Sequence, residues 1–382
     1  MEKTKICHIT TCHEAEDGRI FKRECQSLAE LYDVSLIFSG NEKYEKGNVH
    51  LIGVPIKKRW NKLWLFFKQL AFVDYYPMYK KALELDCELY QFHDPEFLFY
   101  AKKLQKRGKK VIFDSHENYK MQYRVYLKKW PKFVGNFYSY LFDCYQGIVL
   151  KKIDAVIFPA LRNGKHPFEG RCKRVAISNN LPKLEEYYDR FKDDYLQRGR
   201  KVCYIGSLTA ARGIREAVLA TFGGNAQLVL GGEFHDKEFQ RSLEGLAEYK
   251  HVDYRGFLNV EESCNANNEC RIGLATILNV GQYNQYDNLP SKAYEYMALG
   301  IPIILTESHY NSMFIEKYKC GICVDPTDIK TFSKAISDML DNEEKSQKMG
   351  NNGRIAVNSE FNWDLEKIKL FELYVSVLNE KN

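Results

Sequence analysis

Residues 287–302 read DNLPSKAYEYMALGIP, and a short apolar run lies on each side of them, at 272–278 and 301–305. Each run is apolar on both faces, which is typical of strands in a buried parallel sheet. The sequence between them predicts one short helix, because Gly300 followed by Pro302 is a strong stop signal. A strand, a helix and a second parallel strand in this order indicate an α/β fold.

The start of this helix is a candidate binding site. Pro290 suits a first helical turn, and Ser291 can cap it with its hydroxyl. The helix begins at the carboxyl end of a strand, where open parallel sheets bind ligands and unpaired N–H groups attract anions. Lys292 in the first turn, Glu295 one turn later and Asp287 in the entering loop suit a ligand with phosphate and sugar hydroxyls. A surface Lys–Glu pair on an ordinary βαβ crossover is the alternative.

The pattern N-L-P-S-K-x-x-E-Y-M-A-x-G-x-P resembles the C-terminal nucleotide-sugar site of retaining glycosyltransferases of family four. The resemblance implies that Glu295 binds the nucleotide ribose. It implies that Asp287 contacts the donor sugar and takes part in catalysis, although the family usually has Glu at this place. Further donor-site positions implied by the resemblance are Asn288, Leu289, Ser291 and Lys292, of which Lys292 is also catalytic.

The length of 382 residues exceeds what one hydrophobic core usually supports, so it predicts two domains. The resemblance implies a GT-B fold, in which two facing Rossmann-like domains enclose a cleft. We place the acceptor-side domain at 1–185 and the nucleotide-sugar domain at 186–360. The C-terminal helix, 361–382, is expected to cross back to the first domain.

The charge is unevenly distributed. Residues 1–200 hold 37 basic and 25 acidic residues, a balance of +12, whereas 201–382 hold 19 and 25, a balance of −6. The basic half should therefore meet an anionic partner, and charge alone leaves nucleic acid and a membrane surface open. Eleven scattered cysteines without a secretory signal predict free thiols in a reducing cytosol.

A basic aromatic segment favours the membrane. Residues 57–72 place Trp60, Trp64 and Phe67 at helical spacing, next to a cluster of lysines and Arg59. Rings beside amines are typical of a helix that lies in the headgroup region of a bilayer. A helix packed on its own domain is the alternative. We expect a cytoplasmic protein, bound peripherally to the inner face of the cell membrane, that does not bind nucleic acid.

The first predicted strand leads into a loop and a helix, as in a Rossmann unit, but the loop has no G-x-G-x-x-G. The missing motif counts against a dinucleotide cofactor. The resemblance puts Gly18 and Arg19 of this loop near the donor phosphates and sugar; a turn glycine and a surface arginine are the alternative. The nearby cluster Cys7, His8, Cys12 and His13 matches no common zinc spacing, so no metal is predicted here.

Two histidines follow predicted strands of the first domain, His93 in H-D-P-E and His116 in D-S-H-E. A histidine in this position can donate to a sugar hydroxyl or to charge that develops at a breaking bond. The resemblance implies that His116 is catalytic, near the donor sugar. It puts His93 and Glu96 in the acceptor region.

The second domain opens with a strand and the loop G-S-L-T-A-A-R-G, residues 206–213. Gly206 and Gly213 permit a tight turn, and Arg212 can bind a pyrophosphate with two hydrogen bonds. The resemblance makes Arg212 both a catalytic and a donor-binding residue. The family usually has an arginine where this chain has Ser207. The resemblance also implies that the nucleobase lies beside the loop at Gly256 and Phe257.

The predicted function is transfer of a sugar, with retention, from a nucleoside-diphosphate sugar to a sugar or lipid-linked acceptor in bacterial surface polysaccharide synthesis. No cofactor and no metal are expected, since no D-x-D motif is present. A nucleotide-sugar 2-epimerase and a non-catalytic, membrane-associated nucleotide-sugar-binding protein are the alternatives. A nicotinamide-dependent oxidoreductase is disfavoured by the missing glycine motif.

Overall fold

The computed structural model describes residues 3–56, 75–121 and 131–380. The chain forms two compact units, the first of Met1–Asn180 with Glu366–Asn382 and the second of Leu181–Leu365. The predicted basic aromatic helix at 57–72, and Lys128 and Lys129, lie outside the described residues.

The observed boundaries between the units, at 180/181 and 365/366, each lie five residues from the predicted boundaries at 185/186 and 360/361. Leu181 and Leu184 are buried in the core of the second unit. The backbone N–H of Trp363 donates to the carbonyl of Pro182 at 2.9 Å, also within the second unit. These residues therefore belong to the second unit, where the sequence analysis had assigned them to the first.

The first unit is a mostly parallel eight-stranded sheet in the order β3-β4-β2-β1-β5-β6-β7-β8, with β3 antiparallel to β4. Its strands are β1 Lys5–Ile9, β2 Asp33–Ser39, β3 Lys43–Lys46, β4 Val49–Val54, β5 Leu89–Phe92, β6 Lys110–Asp114, β7 Ala155–Phe158 and β8 Val175–Ile177. Its helices in the described residues are α1 Gln26–Leu28, α2 Tyr76–Leu85, α3 Leu98–Gln105, α4 Lys132–Leu150 and most of α12, Trp363–Leu378. A π-helical turn, Ile20–Cys25, precedes α1.

The second unit is a six-stranded, fully parallel sheet in the order β11-β10-β9-β12-β13-β14. Its strands are β9 Lys201–Ile205, β10 Gln227–Gly231, β11 Val252–Gly256, β12 Ile272–Ala275, β13 Ile303–Thr306 and β14 Gly321–Val324. Its helices are α5 Ile214–Gly223, α6 Lys237–Glu244, α7 Val260–Asn268, α8 Ser291–Ala298, α9 His309–Tyr318, α10 Ile329–Asp341 and α11 Glu343–Ser359. The strand order reverses between β9 and β12, and such a switch point opens a crevice at the carboxyl ends of these strands.

The helix that the opening stretch predicts is α8, and its packing fixes it over the switch point. The ring of Tyr296 on α8 occupies the space where a Cβ of Gly273 on β12 would lie, 2.3 Å away. Its hydroxyl accepts a hydrogen bond from the N–H of Ile205 at the end of β9, at 3.0 Å. Ser291 is the first helical residue and provides no side-chain cap, contrary to the expectation. Gly300, with φ +67°, ends the segment as predicted.

Gly350, in the middle of α11, provides a test of this packing. Alanine normally stabilises a helix by up to about 1 kcal/mol over glycine. A Cβ at Gly350 would lie 2.0 Å from the carbonyl oxygen of Gly300, so backbone would have to move. We expect Gly350→Ala to lower the free energy of unfolding by about 1–3 kcal/mol in urea titrations. Gly147→Ala in α4, where the nearest atom belongs to the flexible side chain of Arg171, is the matched control. A Gly350→Ala protein as stable as the control variant would contradict this packing.

Candidate functional site

A cavity of about 330 Å³ lies in the second unit. It brings together six of the predicted residues, from the loop after β9 and the start of α8: Gly206, Ser207, Arg212, Ser291, Lys292 and Glu295. The cavity thus lies where the strand order reverses, the place at which open α/β sheets bind ligands.

Lys292 is the most unusual residue of this cavity. Its side chain is 7% exposed, and its ammonium has no hydrogen-bond partner among the described residues. The Nζ atom lies 3.2 Å from the centroid of the Tyr204 ring, a cation–π contact. Burial, and then the charge of Arg212, lower the pKa of Lys292 well below its usual value. A buried cation without a counterion is costly, so this cavity favours an anionic ligand.

The backbone around Lys292 requires glycine at two positions. Gly206 has φ +140°, and a Cβ there would lie 2.9 Å from the Lys292 ammonium. Gly213 has φ +70°, and a Cβ there would lie 2.2 Å from the carbonyl oxygen of Thr276. Any side chain at Gly206 would therefore displace the ammonium, and one at Gly213 would push the loop off the strand end.

Arg212 supplies a second cation to the cavity. It ends a short 3₁₀ turn, Ala210–Arg212, and its guanidinium lies 4.7 Å from the centroid of the Tyr283 ring. Glu295 lines the same cavity and partly offsets the positive charge near Lys292. Two cations and one carboxylate leave the described part of the cavity with a net positive charge, as a phosphate site needs.

One face of α7 completes the cavity, and sequence analysis did not predict it. Val260, Ser263, Cys264 and Asn267 line the wall at helical spacing. The amide oxygen of Asn267, which is 2% exposed, has no hydrogen-bond partner among the described residues. Helical periodicity was the available signal, but small and polar residues on one face do not distinguish a binding wall from solvent exposure.

Several predicted donor residues do not line this cavity. The side chain of Leu289 is 2% exposed and packs in the hydrophobic core, while its N–H donates to the Tyr294 hydroxyl at 3.3 Å. The side chain of Leu289 therefore faces the core, and its role in donor binding stays a prediction. Phe257 is 71% exposed beside Gly256, whose φ is +66°. The roles of these two residues, and of Asp287 and Asn288, stay predictions.

In the first unit, the structure brings the two predicted histidines together. The Nδ1 atom of His93 lies 3.2 Å from Nε2 of His116, and both nitrogens lie near Oδ2 of Asp114, at 3.1 and 3.0 Å. Burial favours a protonated carboxyl, but Arg19 and then His116 hold the pKa of Asp114 well below its usual value. His93 is fully buried, whereas the side chain of His116 is 15% exposed. His116 is therefore the accessible end of the cluster.

A chain of hydrogen bonds connects this cluster to α12. Gln91 Nε2 donates to Glu24 at 2.7 Å, so Gln91 Oε1 accepts from the Tyr374 hydroxyl at 2.7 Å. The Tyr374 oxygen also lies 2.9 Å from Nε2 of His8. Burial, and next the charge of His93, keep the pKa of His8 well below its usual value.

Asp114 sets the protons of the two predicted histidines. Its carboxylate can only accept, so Nδ1 of His93 and Nε2 of His116 each carry hydrogen toward Oδ2. Nε2 of His93 lies 3.0 Å from Nδ1 of His8. Nδ1 of His116 is left without a partner among the described residues, and it is the nitrogen available to a substrate.

Arg19 binds other residues of the first unit, and its predicted donor contact stays a prediction. It is 8% exposed, and its guanidinium donates to both carboxylate oxygens of Asp114 at 3.2 and 2.8 Å and to the carbonyl of Ser178 at 2.9 Å. These bonds make it a structural residue of the first unit. Gly18 has no positive φ, and a Cβ there would meet only Arg23 at 3.5 Å. The geometry gives no steric reason for glycine at this position.

His13 is a residue that the sequence analysis set aside. Its ring lies 4.9 Å from that of His116, and its Nδ1 lies 3.3 Å from Asp17. Burial opposes protonation, but the hydrogen bond to Asp17 and the charge of Asp94 raise the pKa of His13 overall.

Glu96, predicted for the acceptor region, lies in the short turn Pro95–Phe97. The predicted absence of a metal in this unit stays a prediction.

Comparison with known proteins gives a match in the second unit. Residues 189–356 match the sequence profile of the family described as Glycosyl transferases group 1. The whole match lies within Leu181–Leu365. Spore coat protein SA of Bacillus subtilis is 33% identical over 82 residues, which is 21% of this chain and 22% of that protein. That match spans about a fifth of the relative's length.

The fold of both units is that of GT-B glycosyltransferases, which confirms the predicted fold. Sucrose-phosphate synthase from Thermosynechococcus elongatus has a TM-score of 0.77 at 16% identity, over 98% of this chain and 99% of that one. WaaG, a glycosyltransferase involved in lipopolysaccharide biosynthesis, has a TM-score of 0.67 at 13% identity, over 99% and 100%. HepE of Anabaena in complex with UDP-glucose scores 0.67 at 12% identity, over 97% and 99%. Among the described residues, no helix has the length and hydropathy needed to cross a membrane.

Replacement of Lys292 by methionine should stabilise the protein. The pKa of Lys292 is lower in the native than in the unfolded chain, so the unfolded chain binds more protons below about pH 10. Lys292 therefore costs stability at neutral pH, and the cost falls as the pH rises. We expect Lys292→Met to raise the free energy of unfolding at pH 7 by on the order of 1 kcal/mol or more.

The matched control for this variant is Lys110→Met. Lys110 is also buried, at 9% exposed, but it has an interaction partner, so its loss should destabilise. A Lys292→Met protein that is less stable than wild type in urea titrations at pH 7 would show that the ammonium is satisfied in the native state.

The hydroxyl of Tyr374 should stabilise the histidine chain. Tyr374→Phe removes the hydrogen-bond partner of His8 Nε2 and of Gln91 Oε1, and it leaves both buried groups unpaired. We expect a loss of about 1–3 kcal/mol in the free energy of unfolding. Tyr32→Phe is the control, because Tyr32 lies against the same ring, at 5.8 Å, without a hydroxyl hydrogen bond in the described residues. Equal effects of both changes would refute the chain as drawn.

Proposed function

We propose that this protein transfers a sugar, with retention of anomeric configuration and without a metal, from a nucleoside-diphosphate sugar to a hydroxyl acceptor. The observation that carries the proposal is the buried, unpaired ammonium of Lys292 in a cavity of the second unit, which holds the match to Glycosyl transferases group 1. A diphosphate is the ligand that relieves this unpaired charge and that of Arg212 together. The UDP and UDP-glucose in the HepE structures support the donor class.

Each of these residues is assigned to one part of the donor. Lys292, Arg212 and the first N–H groups of α8 bind the diphosphate. Glu295, one turn after Lys292, accepts hydrogen bonds from the ribose hydroxyls. Asp287, in the loop before α8, holds hydroxyls of the transferred sugar. This order follows the direction of the chain into and along α8.

The chemistry follows from the fixed cations. As the bond from the anomeric carbon to the diphosphate breaks, negative charge grows on the leaving oxygen. Lys292 and Arg212 stabilise that charge where it develops, so they act mainly in the transition state. The leaving phosphate accepts the proton of the attacking hydroxyl, and no protein nucleophile is needed. Nδ1 of His116 accepts a hydrogen bond from a substrate hydroxyl and orients it.

The acceptor is a sugar or a lipid-linked sugar of a bacterial surface polysaccharide, and the protein acts in the cytoplasm at the inner face of the membrane. The excess of basic residues in 1–200 supports contact with an anionic surface. The description of WaaG as a lipopolysaccharide enzyme supports this class of acceptor.

A thermal-shift screen with UDP-, GDP- and ADP-sugars in the presence of EDTA tests the proposal. Ligands that bind only the native state raise the melting temperature by mass action. We expect a shift with one nucleotide class, its loss in Glu295→Ala, and its retention in His116→Ala, which should lower turnover instead. Glu261→Ala is the control, because Glu261 is exposed on α7 and does not line the cavity.

Two outcomes of this screen, and one outcome of a product analysis without acceptor, would count against the proposal. No shift with any donor would refute the donor site, and a shift that needs Mg²⁺ or Mn²⁺ would refute metal independence. Conversion of the donor sugar without any acceptor would indicate an epimerase in place of a transferase.

A further inference from the structure

Helix α4 exposes an apolar stripe. Its members recur every three or four residues along one face: Phe133, Phe137, Tyr140, Leu141, Cys144 and Ile148. The exposed fractions are 74% for Phe133, 63% for Phe137 and 60% for Ile148. The opposite face holds the helix on the first unit through buried Tyr138, Phe142 and Val149. The helix is thus anchored by one apolar face and presents a second to the outside.

The size of this stripe sets it apart from ordinary surface residues. Ile148 lies fifteen positions after Phe133, which corresponds to about 22 Å of helix. Single exposed apolar side chains are normal, but a continuous apolar surface of this length on a folded protein usually marks a binding surface.

The charges around the stripe identify its partner. Lys132 at one end of α4 and Lys151 and Lys152 just past the other end are exposed. The one carboxylate on α4, Asp143, is neutralised by Arg171 and Lys120, both at 2.8 Å. Helix α3, which packs against α4, is followed by exposed basic residues at 106 and 107. Aromatic side chains framed by cations complement an anionic headgroup layer.

We propose that the α4 stripe is the surface by which the first unit binds an anionic lipid bilayer. A second copy of the chain fits the stripe less well, because pairing two stripes brings like charges at the helix ends together without a free carboxylate on α4. The helix carries Asp143 in its middle, and it does not meet the length and hydropathy of a membrane span. It lies in the interface with its axis parallel to the membrane. This inference deepens the membrane location that the proposed function includes, and its test does not depend on activity.

Co-sedimentation with vesicles tests the proposal on the full chain. The vesicles contain phosphatidylcholine alone, or phosphatidylcholine and phosphatidylglycerol at a ratio of 7:3. We expect wild type to bind the vesicles that contain phosphatidylglycerol. A variant in which Phe133, Phe137 and Ile148 are all changed to serine should bind them at least tenfold more weakly. Lys132→Gln with Lys151→Gln and Lys152→Gln should weaken binding to the anionic vesicles selectively, as should high salt.

A matched control removes the same number of exposed apolar side chains from the second unit. Leu196, Met313 and Ile355 are 46%, 55% and 65% exposed, and their combined change to serine should alter vesicle binding less than twofold. The donor-dependent thermal shift of each variant is measured in parallel. If wild type shows no donor-dependent thermal shift, the proposed function is refuted, whereas the vesicle-binding result is unaffected.

Three results would overturn the inference. The first is wild type that stays unbound with anionic vesicles, and the second is a stripe variant that binds as well as wild type. The third is a dimer in analytical ultracentrifugation that the stripe variant dissociates, without any vesicle binding, which would assign the stripe to a second copy of the chain.

Discussion

The burial of one unpaired ammonium organises the second unit. Lys292 is held between the Tyr204 ring and the backbone at Gly206. The side chain reaches that position because α8 lies close on β12, where Tyr296 packs on Gly273. In the proposed function, a phosphate that binds Lys292 offsets the free-energy cost of burying this charge. A site of this kind is less stable without its ligand and binds it more tightly, a common trade-off at functional sites.

The first unit differs from the second in how its buried charges are arranged. Its buried charges are paired, since Arg19 binds Asp114 and two histidines share the same carboxylate. A buried network with satisfied partners is rigid and sets the protons of its members. Here Asp114 determines which nitrogen of His116 carries hydrogen. The hydroxyl of Tyr374, on the last helix of the chain, contacts His8 and Gln91, so the C-terminal helix contributes a polar group to this buried network.

The sequence predicts most clearly where local signals and position in the fold agree. The sequence predicted Lys292 as a binding residue because proline and glycine mark the two ends of a short helix between two apolar runs. The end of a strand and the start of a helix therefore had to coincide. The buried contacts of Arg19 could not be predicted, because its residue type and loop suit a phosphate, while its partners in the fold lie far away in sequence, at Asp114 and Ser178. The cavity wall on α7 and the stripe on α4 depend on tertiary packing. The sequence does not show whether an apolar residue on a helix will be covered by another element or exposed to solvent.

The central claim is that Lys292 is held without a counterion until a nucleoside diphosphate binds. A pH titration of the full chain, followed by lysine Cε–Hε NMR, tests this claim directly, with the resonance identified by its absence from Lys292→Met. The account predicts that the pKa of Lys292 lies well below its usual value in the free protein and rises when the diphosphate is added, since the phosphates favour the charged form. A pKa of Lys292 at its usual value in the free protein, or one that is unchanged by every nucleoside diphosphate, would contradict it.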